Sequence, residues 1–225
     1  MILLGSIVNG AAIAAGGFVG LFVGKLLPDR MQKTLMSALA LVVIGIAVPG
    51  ISDSQKPLIP ILSMVLGTVL GELLDLDSAV IRLGDWLQRK TGGRGKFTDG
   101  FVNGTMVFAV GAMSIMGALN SGLQGDHTVL LSKSVIDGVS SVIFASTLGV
   151  GVLFSSVPVF LLEALITLLA SLLAPLLGAD VLAEISSVGS LLILAISLNM
   201  LGVTKIRVLN LVPAMFFPLL LCKFL

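Results

Sequence analysis

Tyrosine is missing from this 225-residue chain, and tryptophan, cysteine and histidine occur once each, as Trp86, Cys222 and His127. One cysteine excludes a disulfide framework within the chain, and one histidine excludes a histidine-based metal cluster or an H-E-x-x-H zinc motif in one subunit. The near-absence of Trp and Tyr removes the aromatic belt that usually marks where a membrane protein meets the interface. Charge is also sparse: Asp, Glu, Lys and Arg make up 11% of residues, against ~25% in soluble domains. A net charge of +1 leaves no basic block to neutralise phosphates, which excludes nucleic acid as a partner. What is there instead is apolar: 56% hydrophobic residues and a mean hydropathy of +1.14. Such a composition predicts an all-α, polytopic transmembrane bundle, a single integral membrane domain over residues 1–225 whose first partner is the lipid bilayer.

Apolar runs divide the chain into eight candidate spans. The first, Ile2–Leu27, lacks the positive start of a cleavable leader and reads as a membrane helix. Gln32–Val48, Pro57–Leu74, Phe97–Leu119, Leu130–Phe154, Val159–Leu177, Val188–Val203 and Val208–Phe224 follow. Pro213 and Pro218 leave open a broken or re-entrant last segment, and with it a count of seven. Ser155-Ser156-Val157-Pro158 reads as a tight turn, and Asn120–His127 and Gly178–Ser187 as loops. From Ser78 to Lys90 the chain is amphipathic, with Leu76, Val80, Leu83 and Leu87 on one face and Arg82, Asp85 and Arg89 on the other. Beside Trp86 this predicts a helix lying in the membrane interface, the alternative being a solvated cap on the bundle. The basic loop Arg89–Lys96 that follows suggests halves 1–96 and 97–225.

Glycine, at 26 residues, is abundant. Gly20 and Gly24 form a G-x-x-x-G pair, and Gly10, Gly17 and Gly24 share a stripe, faces that let another helix approach closely within the chain or in a homo-oligomer. Val19–Pro28 aligns without gaps with Leu66–Asp75, a sign of duplication. Lysine and arginine number ten in the loops after the odd-numbered spans (Lys25, Arg30, Lys33, Arg82, Arg89, Lys90, Arg94, Lys96, Lys205, Arg207) and three on the other side (Lys56, Lys133, Lys223). That bias puts the odd loops in the cytoplasm and the N-terminus outside.

The chain is organised around the fifth span, which carries Asp137 roughly two turns inside its start. At ~1.5 Å per residue the carboxylate lies on the order of 10 Å inside a hydrocarbon core ~30 Å thick. Lys133, Ser134, Ser140, Ser141 and Phe144 share its side of the helix. A costly intramembrane acid is by default a functional-site residue, the plain alternative being a Lys133–Asp137 pair that locks helices together. Asn9-Gly10 in the first span and Asn103-Gly104 in the fourth repeat the pattern of a polar residue beside a glycine. Their spans run in opposite directions, as in inverted-repeat carriers; the alternative is interhelical packing. Breaks near Gly111 and Gly149-Val150-Gly151 would supply unwound backbone.

Other features read as structural. Glu163 falls near the cytoplasmic end of the sixth span, His127 sits in an external loop, Lys205 and Arg207 obey the charge rule, and the nine methionines read as packing. No nucleophile elbow occurs and the loops are too short for a soluble pocket, so the chain does not read as an enzyme and calls for no cofactor beyond a coupling proton or monovalent cation. The expectation is a secondary transporter of a small ion or small polar metabolite, its site drawn from Asp137, Ser140, Ser141, Asn9, Asn103, Asn199 and Lys133. An oligomeric ion channel and a non-transporting scaffold remain the alternatives.

From Gly111 to Gly151 the chain reads G-A-M-S-I-M-G-A-L-N-S-G-L-Q-G-D-H-T-V-L-L-S-K-S-V-I-D-G and then A-S-T-L-G-V-G-V. With the later L-L-I-L-A-I-S-L-N-M-L-G-V-T-K-I-R-V-L-N-L-V-P-A and the early V-N-G-A-A-I-A-A-G-G, it resembles the bacterial membrane family catalogued as domain of unknown function 554. The resemblance implies a bacterial cytoplasmic-membrane protein built as a glycine-rich helical bundle, and brings no substrate or residue role with it.

Overall fold

The computed structural model describes residues 1–79, 82, 97–109 and 112–224. Their regular structure is entirely helical: α1 Leu4–Leu26, α2 Asp29–Ser52, α3 Leu58–Leu74, α4 Phe97–Ala109, α5 Ala112–Gln124, α6 Thr128–Leu148, α7 Gly151–Phe154, α8 Ser156–Leu168, α9 Ala170–Leu173, α10 Ala179–Met200 and α11 Val208–Leu211, then a 3-10 turn Val212–Phe216 and α12 Pro218–Leu221. Among the described residues five helices are long and apolar enough to cross a membrane, counting Gly151–Leu168 as one, and the α4–α5 pair, bent by 58°, makes a sixth. Leu58–Leu74 and Val208–Leu221 are shorter apolar helices, the second broken at its prolines. The amphipathic helix expected to Lys90, the basic loop after it and the break at Gly111 fall mainly or wholly outside the described residues.

Several boundaries differ from the sequence reading: α2 runs on through Pro49 to Ser52, and Asn120–Gln124, expected as loop, is helical. The fifth span stops at Leu148 rather than Phe154, because Gly149 takes φ 80, a left-handed conformation that a glycine adopts without strain. The chain then turns into helix, so of the expected turn only Ser155 remains one and Ser156–Pro158 is helical. Pro158 is tolerated there because it falls in the first turn of α8, where an amide hydrogen has no intrahelical partner anyway. The segment expected as a loop to Ser187 is helical from Ala179 onwards.

The chain forms two compact units. One takes Met1–Leu39, Phe97–Ala109 and Met113–Ala174. Within it α1 and α6 run parallel and almost touch. Gly5 lies on Leu130, Gly16 on Gly138 and Ser141, Gly20 on Val142 and Ala145, and Gly24 on Ser146. The i, i+4 spacing of Gly16, Gly20 and Gly24 makes a side-chain-free stripe, and the Ser141 hydroxyl donates across it to the Ile13 carbonyl at 3.0 Å. α7 and α8 run antiparallel to α1, with Leu153 over Gly17 and Phe160 over Gly10; α4 runs parallel to them, its Gly100 and Gly104 against Val152 and Ser155. The outer face of α6 is apolar and open, with Val135 68%, Ile136 52% and Val139 62% exposed, while Lys133, Ser134, Asp137 and Ser141 are buried. Polar inside and apolar outside is the pattern of a helix facing lipid.

The start of α6 is fixed by Asp126, whose Oδ1 accepts from the Thr128 amide at 2.9 Å and the Thr128 hydroxyl at 2.6 Å. These two donors, hydroxyl first, hold the Asp126 carboxyl below the ordinary carboxylate range. A depressed native value means that this contribution is complete above the unfolded carboxylate range and is lost as pH falls through the lower, native one. Protection of the Thr128 amide against exchange should therefore be lost only as pH falls below the ordinary carboxylate range; loss of protection above that range would contradict the assignment.

The other unit takes residues 40–79 and 175–224, with Arg82. α3 presents Gly67 and Gly71 to Ala214 and Asn210 of the C-terminal segment. Glu184, 1% exposed, accepts from the Ser54 hydroxyl at 2.7 Å and the Gln55 and Lys56 amides at 2.8 and 2.9 Å, which anchors the approach to α3.

Candidate intramembrane charged site

Four side chains from three helices of the first unit meet at one level. Asp137 is nine residues after the start of α6, roughly 14 Å along it at ~1.5 Å per residue. Lys133, one turn earlier, donates to Asp137 Oδ2, so the local i, i+4 pair exists as expected. It is not alone. Asn9 of α1 donates through Nδ2 to Asp137 Oδ2 at 3.1 Å and to Glu163 Oε1 of α8 at 2.8 Å. Lys133 Nζ lies 3.9 Å from Glu163 Oε1 and donates to the Phe108 carbonyl at 2.6 Å.

Phe108 belongs to the last turn of α4, where carbonyls lack intrahelical partners and carry the negative end of the helix dipole. The Ser114 hydroxyl of α5 donates to the same oxygen at 3.2 Å. The broken fourth span thus delivers a carbonyl to a buried cation, a use of backbone open only to a helix that stops inside the bundle.

The amide of Asn9 must point its NH2 group at the two acids, because its oxygen there would face acceptors and leave both carboxyls poorer by a donor. Asn9 and Glu163 are 0% exposed, Lys133 and Asp137 6%. One ammonium therefore faces two carboxyl groups in a low-dielectric setting, a set that balances only when one further positive charge is present. Asn9 Oδ1 and Glu163 Oε2 have no hydrogen-bond partner among the described residues.

Glu163 is the residue sequence reasoning placed wrongly. With the sixth span starting at Gly151, Glu163 lies five residues before Leu168, in the second half of that span rather than near its start, and toward the same end of the bundle as Asn9 of the antiparallel α1. The glycine pair Gly149 and Gly151 was the signal that marks the boundary.

Other expected site residues do different work. Ser141 is buried but bonds backbone, reaching Ile13 and Gly138. Ser140 and Asn103 are half-buried, and among the described residues neither bonds to the charged group. Asn199 belongs to the second unit, where its side chain donates to the Ile206 carbonyl and accepts from the Ile206 amide and Thr204 hydroxyl, closing the turn after α10. Sequence spacing cannot separate an amide that binds a solute from one that ties a turn. His127 Nδ1 lies 3.0 Å from the Ser121 hydroxyl.

The described surface carries open grooves. One of about 290 Å³ is lined by Ile7, Gly10, Ala11, Ser156, Val157 and Phe160, another of about 700 Å³ by one face of α3 from Met64 to Leu73. Neither has Lys133, Asp137 or Glu163 on its wall, and those three side chains are buried.

The family described as "Protein of unknown function (DUF554)" matches residues 4–223, and the chain belongs to that family. It is 30% identical over 220 residues to "Uncharacterized membrane protein YdfK" of Bacillus subtilis (strain 168), covering 96% of this chain and 94% of that protein. It is 29% identical over 218 residues to "Uncharacterized protein YqgA" of Escherichia coli (strain K12), covering 94% and 93%. No solved structure matches the chain.

Proposed function

We propose that this member of the family is a secondary transporter of a small ion or small polar metabolite in the bacterial cytoplasmic membrane, with its N-terminus outside. It calls for no enzymatic step. The observation that carries the reading is the buried group of Asn9, Lys133, Asp137 and Glu163, in which two acids share one ammonium. A merely structural ion pair needs one acid. A second makes the group able to hold one more positive charge, and gaining or losing it changes which carboxyl the ammonium and amide serve. Because Asn9, Lys133 with Asp137, and Glu163 stand on α1, α6 and α8, that exchange acts on the packing of three helices at once. The broken α4–α5 span, which supplies the Phe108 carbonyl, is the element that such a change would move.

The test is electrical. Proteoliposomes on a solid-supported membrane are exposed to jumps of Na+, K+, amino acids, carboxylates and sugars under an imposed pH or Na+ gradient. At least one solute should give a sustained current that collapses with the gradient, and Asp137→Asn should abolish it while the protein elutes as the wild type does. No current with any solute, or equal current from Asp137→Asn, refutes the carrier. Unitary conductance steps in a planar bilayer would instead make it a channel.

A further inference from the structure

Charge accounting in the buried site does not treat its two acids alike. Lys133 donates to Asp137, whereas its ammonium is 3.9 Å from Glu163, beyond hydrogen-bond reach. Asp137 Oδ2 also accepts from Asn9. Among the described residues, Glu163 has only the second Asn9 hydrogen on Oε1, and its Oε2 has no partner although the residue is fully buried. The ammonium's charge is therefore matched by Asp137, and the surplus carboxyl is Glu163. No other titratable side chain stands on α7 or α8, Asn9 is what α1 turns to it, and Lys133 and Asp137 are what α6 turns to it.

A second observation is independent of that count. Ser6 and Thr167 are buried to 0% and 1% exposure, and neither hydroxyl has a partner among the described residues. Ser6 is one turn before Asn9 on α1 and Thr167 one turn after Glu163 on α8, each on the same face as its neighbour. Since α1 and α8 are antiparallel, both hydroxyls lie on the same side of the charged site, toward the N-terminal end of α1. Buried hydroxyls without protein partners are where ordered water sits.

Building on the transporter reading, we infer that Glu163 is the group that takes up and releases a coupling proton, through a hydrated path lined by Ser6 and Thr167 to the membrane face nearest the start of α1. On protonation the proton comes from water in that path and forms the O–H bond on Oε2, leaving the site neutral with Lys133 on Asp137. On release it returns to water, and Lys133 is left between two carboxylates.

The experiment reads the proton without needing a substrate. Infrared difference spectra of the purified full-length protein in nanodiscs, recorded as pH is stepped in Na+-free buffer, should contain a carboxylic C=O band that titrates. Glu163→Gln should lose it, Glu163→Asp should keep it at a shifted frequency, and Asp137→Asn, which leaves the Lys133 ammonium to Glu163 alone, should move its titration to more acidic pH. Thr167→Val should retain the band while slowing, severalfold, the charge displacement that a pH jump evokes on a supported membrane. A titrating band that persists in Glu163→Gln, or a wild type whose spectrum responds to Na+ and not to pH, overturns the assignment. Should Glu163→Gln fail to fold, an unshifted band in Glu163→Asp overturns it equally. A band that behaves as expected in a protein showing no solute current would leave the proton site standing and remove the transporter.

Discussion

Lys133→Met should destabilise the protein by about 3–5 kcal/mol, the scale found when one partner of a buried ion pair is removed and the other charge is stranded. Here the change strands the acceptor side of three groups at once. Asp137 loses its cation, Glu163 loses the nearest positive charge, and the Phe108 carbonyl loses its 2.6 Å donor. Restoring charge balance should repair most of the loss. The double variant Lys133→Met with Asp137→Asn is expected to unfold closer to the wild-type temperature than Lys133→Met does, because its one remaining acid can be neutral. Thermal unfolding of the four members of this cycle in detergent measures the coupling directly. Additive losses would mean that Lys133 and Asp137 do not act as a unit, and the charged site as described would fall.

The second large effect is expected at the crossing of α1 and α6. A Cβ at Gly16 would run into the Gly138 carbonyl and the Ser141 hydroxyl, and one at Gly20 would lie 2.9 Å from Ala145 Cβ and press on the Val142 carbonyl. These obstacles are mostly backbone, which cannot swing aside. Gly16→Ala should cost about 1–3 kcal/mol, the usual range for an overpacked contact. Gly16→Leu should give no folded protein, since the helices would have to part and take Asn9 away from Asp137. Gly45→Ala is the control. Nothing lies within 4 Å of a Cβ built there, so that helix should gain up to about 1 kcal/mol from the better helix former. Melting curves and yields of monodisperse protein decide between them. A tolerated Gly16→Leu would show that the close crossing is not needed.

Both experiments bear on residues that a single helix can and cannot reveal. Lys133 and Asp137 are one turn apart on one span, so period alone put them together, and the cost of an acid in hydrocarbon marked them out. Asn9 could be named for the same reason. Its partners could not, since they lie 128 and 154 positions along the chain. Glu163 was misplaced because a span boundary was set at a proline, and a proline in the first turn of a helix is no boundary at all. Asn199 failed for a different reason: an amide near a helix end is as well suited to closing a turn as to meeting a solute, and here it closes one.

Composition and hydropathy were enough to establish a glycine-rich bundle of membrane helices with an acid buried in it, because the bilayer imposes its cost on each residue separately. Which helices lie side by side is not a property of any one residue. It follows from stripes such as Gly16, Gly20 and Gly24 finding a backbone that fits them. Only that packing decided that two acids, one ammonium, one amide and the carbonyl of a broken helix share a single buried place, where what each group can hold depends on the charge of the others.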